Sequence, residues 1–301
     1  MDEGTAVRWE DLEIAVIGGD EREREISRLA AATGATVRAF GFPWPDGGIE
    51  GVTGESSALA AAKGARYALF PIPLGVGDLL YAPHAPEPIR VDDELLEQMS
   101  PRAHIFLGRS TAALREVAER AGVELHEYDD DVELMLLRGP AIVEGAIAAA
   151  IENTEVTIHA ATVGVVGFGT IGTLLVRTLI ALGANVHVFA RNPVQRAGAY
   201  AAGAMAHGLG ELTTEAAGLD MLFSTVPAKI VDRSVLRHLR PGTLVLDIAP
   251  PPGHADLEAA TQLGHVAVWA RGLGKRAPIT VGGSQWTGLR RRIEALESGS
   301  G

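Results

Sequence analysis

A glycine-rich turn between an apolar run and a helical run is the feature that most constrains this chain. Residues 162–166 form an almost continuous β-branched run, and residues 167–172 follow as Gly-Phe-Gly-Thr-Ile-Gly, a G-x-G-x-x-G pattern. Gly167 would permit the tight turn, Gly169 would let the backbone approach a pyrophosphate, and Gly172 would let helix and strand pack closely. The free N–H groups of the following helix suit phosphate oxygens. We therefore predict a Rossmann-type dinucleotide-binding domain, with a glycine-rich turn that holds no ligand as the alternative.

The end of the next strand predicts which dinucleotide is bound. NAD-binding folds usually carry Asp or Glu there, about 20 residues after the glycines, to hold the ribose 2′-OH. Here the run 186–189 is followed by Ala190-Arg191-Asn192, with Arg196 one helical turn later and no carboxylate. Two guanidinium groups could bind a 2′-phosphate by bidentate hydrogen bonds. We predict NADP, with NAD as the weaker alternative; Arg191 could instead only stack on adenine, and Arg196 could be solvated.

Two later strand ends complete the predicted cofactor site. The runs that end before Thr225 and at Asp247 would bring both to the carboxyl edge of a parallel sheet, where open α/β sheets bind ligands. Asp247 could equally cap the loop that follows it. The predicted cofactor-binding residues are Gly167, Phe168, Gly169, Thr170, Ile171, Gly172, Ala190, Arg191, Asn192, Arg196, Thr225, Val226, Pro227, Asp247, Ala249 and Gly272.

The first half of the chain also alternates strand and helix patterns, so the predicted fold class is α/β, with two Rossmann-like doubly wound domains. Pro140, at a favourable first-turn position, would begin an Ala-rich linking helix. The final helix would pack back towards the first domain. The predicted organisation is an N-terminal flavodoxin- or Rossmann-like substrate domain (1–139), a linking helix (140–158), an NAD(P)-binding domain (159–275) and a C-terminal segment (276–301).

Composition excludes several classes of function. The 301 residues include no cysteine, which rules out disulfides, thiolate metal sites and a cysteine nucleophile. The net charge of −12 disfavours nucleic acid and anionic membranes as partners. The N-terminus lacks a signal-peptide pattern and no uninterrupted apolar run is long enough to cross a membrane, so we expect a cytoplasmic protein. The acidic run 129–131 near His126 lacks metal-ligand spacing and predicts a solvated loop, so no metal is expected.

Polar residues at two strand-to-helix turns and in one basic loop are candidates for substrate binding. Asp20 and Arg22 after Gly18-Gly19 could hold a small anion, or Asp20 could simply cap a helix. Arg109, Ser110 and Thr111 could bind a carboxylate, with a helix-capping Thr111 as the alternative. Lys275 could close over a ligand or be an ordinary surface residue. The predicted substrate-binding residues are Asp20, Arg22, Arg109, Ser110, Thr111 and Lys275.

Glu144 and His159 are the candidate catalytic bases. Glu144 lies in the linking helix, where an exposed glutamate is more often only solvated. His159 precedes the dinucleotide-binding strand, where a lone histidine is more often a hydrogen-bonded structural residue. Neither position has a local pattern that decides between the two roles.

The order of the short motifs resembles that of the A subunit of dipicolinate synthase, a family from spore-forming bacteria. The motifs include Ile-Ala-Val-Ile-Gly-Gly-Asp at 14–20, Val-Glu-Gly at 143–145, Thr-Ile-His at 157–159, the glycine turn, Thr-Val-Pro at 225–227 and Ala-Pro at 277–278. The resemblance implies NAD(P)-dependent oxidation of dihydrodipicolinate, or of its hydroxytetrahydro precursor, to dipicolinate. It also implies that the partner is a flavoprotein-like B subunit, and we expect a homo-oligomer. The chain departs from the family pattern at residues 250–254, at Ile279 and in the leucine-rich run 134–137.

Two other functions remain open. A D-2-hydroxyacid dehydrogenase would share the two-domain plan, but such enzymes resemble one another in an Arg, a Glu and a His near the later strand ends. Residues 250–252 are all proline where that Arg is expected, and His254 and His265 lack matching surroundings. A non-catalytic NADP-binding protein that regulates a partner is the other alternative.

Overall fold

The computed structural model describes residues 7–72, 77, 79–249 and 253–299. Their strands are β1 Glu13–Ile17, β2 Thr36–Phe40, β3 Val52–Gly54, β4 Tyr67–Leu69, β5 His104–Leu107, β6 Glu124–Glu127, β7 Thr162–Val166, β8 Asn185–Phe189, β9 Met205–His207, β10 Met221–Ser224, β11 Leu244–Asp247 and β12 Val266–Trp269. Their α-helices are α1 Glu21–Ala31, α2 Ala58–Ala62, α3 Asp93–Leu96, α4 Ala112–Ala121, α5 Val132–Glu152, α6 Thr170–Ala181, α7 Pro193–Ala201, α8 Leu212–Glu215, α9 Arg233–Leu236, α10 Leu257–Gln262 and α11 Pro278–Glu297. The chain forms two compact units, one of Met1–Arg138 with Ala277–Gly301 and one of Gly139–Arg276.

The first unit is built on a parallel six-stranded sheet in the order β3-β2-β1-β4-β5-β6. Its central strands are apolar on both faces, as parallel strands covered by helices on each side should be. One face packs on α1 and α11, where Trp9 and Trp286 lie with ring centroids 5.9 Å apart. Gly282 allows this approach, because a Cβ there would be 2.7 Å from the Arg22 carbonyl oxygen. The C-terminal helix is therefore part of the first unit.

The second unit repeats the same plan with a parallel sheet in the order β12-β11-β10-β7-β8-β9. Reversal of the winding direction between β7 and β10 creates the switch point at which such sheets bind ligands, beyond the carboxyl ends of the strands. Buried Val and Leu side chains fill both faces of the sheet. Two sheets of this order confirm the predicted fold class of two Rossmann-like doubly wound domains.

Helix α5 differs from the prediction. It begins at Val132, and Pro140 lies inside it rather than at its first turn. Asp131 starts the helix, because its Oδ1 accepts hydrogen bonds from the backbone N–H groups of Glu133 and Leu134 at 2.9 and 3.1 Å. The two compact units divide inside this helix, between Arg138 and Gly139. The prediction was wrong because it took the proline as a start signal and overlooked the aspartate cap upstream.

Two short elements in the first unit were also missed. The Gly and Pro content of residues 43–54 predicts a loop, but strand β3 lies there, and α2 follows it with Ser57 as its cap. Three- and five-residue elements carry too little periodicity to be seen in sequence, and both are held by the rest of the sheet. The sequence predicts a long loop over 71–88, and residues 73–76 and 78 of this stretch lie outside the described residues.

Within the described part of the chain, one helix, α5, has the length and apolar composition that a membrane crossing would need. Half of its most apolar stretch is buried inside the protein. A core helix of an α/β protein has the same composition, so length and apolarity alone are weak evidence for a membrane span.

Candidate dinucleotide and substrate sites

The glycine turn after β7 is shaped by close contacts at its first and last glycines. Gly167 has a φ of +103° and donates its N–H to the Phe189 carbonyl at 2.9 Å. A Cβ on Gly167 would lie 2.5 Å from both Thr225 Oγ1 and Val226 Cγ1. A Cβ on Gly172 would lie 2.6 Å from the Gly167 carbonyl oxygen. Both positions therefore require glycine for the fold itself, through the turn and the helix–strand contact.

The middle glycine of the turn is different. A Cβ on Gly169 would meet nothing within 4 Å, and its φ of −84° suits any residue. The fold therefore has no need of glycine here, whereas a phosphate seated against the backbone would. Gly169 is the N-cap of α6 and no side chain caps this helix start. The open space beside the first turn of a helix fits the pyrophosphate of a dinucleotide.

The three polar residues predicted after β8, Asn192, Arg196 and Arg191, have different surroundings in the structure. Asn192 caps α7, because its Oδ1 accepts the Val194 N–H at 2.8 Å. Arg196 turns back and donates from one terminal nitrogen to the carbonyl oxygens of Ala190 and Arg191 at 3.0 and 2.7 Å. Arg191 is exposed, and its guanidinium has no hydrogen-bond or ion-pair partner among the described residues. Arg191 can therefore reach a ligand, while Arg196 supports the loop that carries it.

At the ends of β10 and β11, Thr225 and Asp247 hydrogen-bond to the protein backbone and stabilise the loops around them. Thr225 donates both its N–H and its hydroxyl to the Val166 carbonyl at 3.0 Å, which holds it beside Gly167. Asp247 is fully buried, and its carboxylate accepts N–H groups of Ala249, His254 and Ala255 at 2.9, 2.6 and 2.8 Å. Asp247 therefore caps the loop that follows it, which is the alternative to cofactor binding considered for this residue. Residues 250–252 lie outside the described residues.

Asp20 and Arg22 do not form the open anion site that the sequence suggested. Asp20 caps α1, and its two carboxylate oxygens accept hydrogen bonds from the Arg22 side chain at 2.7 and 2.8 Å. Both side chains are buried. The bidentate pair neutralises the guanidinium internally, so Arg22 is not free to receive a carboxylate.

A buried polar cluster beside this pair was missed by sequence reasoning. Tyr128 interacts electrostatically with Arg22, Glu23 and Arg138, and its hydroxyl lies 3.5 Å from Gln285 Nε2. Burial raises the pKa of Glu23 to about 7, an effect that Arg22 opposes. Within the described part of the chain, Glu23 Oε1, Gln285 Oε1 and Arg138 Nε are buried without a hydrogen-bond partner. No local pattern could have found this group, because its members are up to 262 positions apart in sequence (285 minus 23).

The turn after β5 is also occupied by internal contacts. Thr111 caps α4 by accepting the Leu114 N–H at 3.1 Å, which is the capping role considered as its alternative. Ser110 contacts Glu127, which also accepts its N–H at 3.1 Å, and Arg109 contacts Asp130 and, at 3.4 Å, Asp129. These side chains lie at the surface, where ion pairs are weak and exchange readily.

Glu144 is held in an exposed ion pair with Arg276. The next residue, Gly145, packs on the turn at 273–276, because a Cβ there would be 3.0 Å from Leu273 Cβ. The Val-Glu-Gly stretch of α5 therefore meets the loop after β12. Lys275 is exposed in the same loop, and Gly272 has a φ of +64° that allows the loop to turn.

His159 lies at the opposite edge of the second sheet from the glycine turn. It precedes β7, whereas the glycine turn follows β7, and parallel strands bind ligands at their carboxyl ends. A Cβ on Gly183 would be 2.3 Å from His159 Nδ1, so the imidazole packs against that turn. This position, at the amino edge of the sheet, disfavours His159 as the base.

Comparison with known proteins supports the same two-part organisation. Residues 13–128 match the family model of the N-terminal domain of the dipicolinate synthase A subunit. Residues 141–261 match that of the D-isomer specific 2-hydroxyacid dehydrogenase NAD-binding domain.

Two relatives cover nearly the whole chain. The dipicolinate synthase A subunit of Bacillus subtilis is 33% identical over 276 residues, which are 90% of this chain and 92% of the relative. The crystal structure from that organism has a TM-score of 0.85 at 30% identity, covering 96% of this chain and 98% of that one. The structure of the corresponding protein from Bacillus halodurans has a TM-score of 0.86 at 27% identity, with coverage of 94% and 97%. The chain is an NAD(P)-dependent oxidoreductase and belongs to the family of dipicolinate synthase A subunits.

Proposed function

We propose that this protein uses NADP to oxidise dihydrodipicolinate, or its hydroxytetrahydro precursor, to dipicolinate. The name of its relatives from two Bacillus species supports the product, since both are dipicolinate synthase subunits. The glycine turn at 167–172 supports the cofactor class. The observation that carries the choice of NADP is the exposed Arg191, which has no hydrogen-bond or ion-pair partner among the described residues, at a strand end that has no carboxylate.

The preference for NADP predicts a selective loss in Arg191→Ala. A charge-assisted hydrogen bond contributes roughly 1.5–3 kcal/mol, so NADP affinity should fall by about 10- to 150-fold while NAD affinity stays the same. Titration of both dinucleotides by isothermal calorimetry measures this. Arg237→Ala is the matched control, because Arg237 is an exposed arginine of the same unit that follows α9 at the amino edge of the sheet. Equal loss for NAD and NADP, or no loss for either, would contradict the assignment of Arg191 to the 2′-phosphate.

We further propose Glu144 as the general base. A bound nicotinamide would accept the hydride that leaves the substrate ring. Glu144 would take the proton, and Arg276 would orient its carboxylate towards the loop 272–276 until substrate displaces the pair. The ion pair is exposed, so displacing it costs little.

The role of Glu144 predicts a catalytic defect without a binding defect. Glu144→Gln should lower kcat by about 10²- to 10⁴-fold, as loss of a general base does, with NADP affinity unchanged. Glu152→Gln is the control, since Glu152 is an exposed glutamate of the same helix. A Glu144→Gln enzyme with normal kcat would exclude this carboxylate as the base.

The remaining predicted residues divide into two groups in this proposal. Arg109, an exposed cation of the first unit, is proposed to attract a carboxylate, and Ser110 and Thr111 form the turn beside it. Lys275, an exposed residue of the second unit, is proposed separately as a carboxylate-attracting cation. Asp20 and Arg22 would have a structural role, as the buried ion pair at the start of α1. We also propose a homo-oligomeric state, a cytoplasmic location and a partner that is a flavoprotein-like B subunit. Light scattering of the protein by itself would give the number of copies in the homo-oligomer. Light scattering of its mixture with the B subunit would give the ratio of the two subunits in the complex.

The match of residues 141–261 to D-2-hydroxyacid dehydrogenases favours a second candidate, oxidation of another small carboxylate. Assays with NADP and enzymatically generated dihydrodipicolinate, in the presence of the B subunit, separate the two. NADPH formation together with absorbance of the pyridine dicarboxylate supports the first proposal. Turnover of D-2-hydroxyacids alone would favour the second, and cofactor binding without any turnover would favour a regulatory role.

A further inference from the structure

Two histidines at the edge of the second sheet form a cluster that the proposed reaction does not use. His187 is the third residue of β8, and His207 ends the edge strand β9. His187 pairs in register with Met205, so His207 lies two residues further along the same face. The two imidazoles are nearly parallel, with 3° between their planes and 5.0 Å between their centroids. His187 Nδ1 and His207 Nε2 are 3.1 Å apart.

A carboxylate completes the group. Glu215 of α8 places Oε2 3.8 Å from His187 Nδ1, and one donor atom from each of the three residues lies within 4.8 Å of the others. The histidine side chains are only 13% and 15% exposed, while that of Glu215 is 35% exposed. The donor atoms are therefore shielded by protein but still reachable from solvent.

A second carboxylate orients one of the histidines. Glu211 Oε2 lies 3.5 Å from His207 Nδ1, the nitrogen that faces away from His187. This contact favours a proton on Nδ1 and leaves a lone pair on Nε2. Metal-binding histidines commonly donate their second nitrogen to a carboxylate in this way.

A similar cluster in the first unit, formed by His104, His126 and Glu124, differs in the exposure of its carboxylate and in the charges around it. His104 and His126 approach within 3.0 Å, but Glu124 beside them is 64% exposed. The positive charges of Arg66 and Arg292 act on His104 and His126 respectively and would repel a cation. Of the two clusters, the one in the second unit has the better balance of charge for a divalent ion.

We propose that His187, His207 and Glu215 bind one divalent transition-metal ion, zinc by preference, with water as the fourth ligand. Two nitrogens and one carboxylate oxygen around an open position are a donor set that zinc favours. Zinc–nitrogen bonds of about 2.0–2.1 Å at a tetrahedral angle put two ligand nitrogens roughly 3.3 Å apart, close to the spacing in the structure. The ion would join β8, the three-residue edge strand β9 and α8.

Metal titration of the tag-free full chain, stripped by a chelator, tests this proposal. Co²⁺ is followed by its visible absorption, and Zn²⁺ by competition with a chromogenic chelator. Wild type should bind one equivalent with the intense absorption of a four-coordinate Co²⁺ ion, and Zn²⁺ should raise its Tm. His187→Gln and His207→Gln should lose the site. Glu211→Gln should weaken binding by about 10- to 100-fold, as loss of the carboxylate that orients a metal-binding histidine does.

The double variant His104→Gln/His126→Gln is the matched control and should still bind one equivalent. Absence of a bound equivalent in wild type, unchanged binding in His187→Gln and His207→Gln, or loss of the equivalent in the double variant would overturn the proposal. If the histidine variants are not folded, as shown by the loss of a cooperative unfolding transition, metal binding by Glu211→Gln and Glu215→Gln tests the proposal instead. Both carboxylates are about one-third or more exposed and can be replaced without opening the core, so unchanged affinity in both would also overturn it.

Discussion

At the scale of single residues, Glu23 is the carboxyl group whose pKa is most clearly moved by the fold. It is buried, and one oxygen accepts the Asp20 N–H at 2.8 Å while the other has no partner among the described residues. Burial raises its pKa from 4.5 to about 7. Between these two pH values the folded protein holds a proton that the unfolded chain releases. The contribution of the neutral form to stability is therefore fully present below about pH 4.5 and is lost as the pH rises through 7.

Glu23→Gln should remove this pH dependence. Each pKa unit corresponds to about 1.4 kcal/mol, so the difference in unfolding free energy between wild type and variant should change by on the order of 3 kcal/mol from pH 4.5 to 8, in favour of the variant at high pH. Urea unfolding at a series of pH values measures the difference. Glu21→Gln, an exposed residue of the same helix, is the control. A difference that does not change with pH would mean that Glu23 titrates normally.

At the scale of elements, the glycines of the β7–α6 junction have two different roles. Gly167 and Gly172 are required by the fold, whereas Gly169 leaves space for a ligand. Gly172 faces the Gly167 carbonyl, whereas Gly169 faces open space. Gly172→Ala should therefore lower the unfolding free energy, by the roughly 1–3 kcal/mol typical of overpacking, and weaken cofactor binding. Gly169→Ala should leave stability unchanged and still weaken NADP binding by tenfold or more, because its methyl group would occupy the space that we propose for the phosphate.

Thermal unfolding and NADP titration of the two variants test this division. Gly210→Ala is the control, since a Cβ there also meets nothing within 4 Å and the residue lies away from the turn in sequence. Normal NADP binding by Gly169→Ala would show that the space beside the helix start does not hold the pyrophosphate.

At the scale of the whole molecule, the second unit is one continuous segment, Gly139–Arg276, and the first is made of two. Cofactor bound at the glycine turn should stabilise the protein by about 2.7 kcal/mol at a concentration of 100 times Kd. Hydrogen exchange should slow first in peptides that cover residues 162–173 and 186–196. Peptides over residues 155–161, at the amino edge of the same sheet, should change least and serve as the internal control. Protection centred on that edge would place the cofactor elsewhere.

Much of the framework of both units follows from local sequence. The residue pattern predicts strands over 36–40, 104–107, 162–166, 185–189, 221–224 and 266–269, and β2, β5, β7, β8, β10 and β12 begin and end at these residues. Apolar runs bounded by turn residues specify buried parallel strands. The glycine turn and the cofactor class follow from the same local chemistry. The start of helix α5 and strand β3 were missed where a proline and a Gly-Pro composition gave misleading local signals.

The sequence by itself determined the two-sheet fold, the dinucleotide turn and the missing carboxylate after β8, since each follows from local patterns of strand, turn and helix residues. Only the tertiary structure decided which polar residues are free to act. It pairs Arg22 with Asp20, uses Asp247 as a loop cap, moves His159 to the far edge of the sheet and brings His187 to His207. Hydrogen bonding and burial depend on neighbours that chain folding brings together from distant positions, and no local pattern records them.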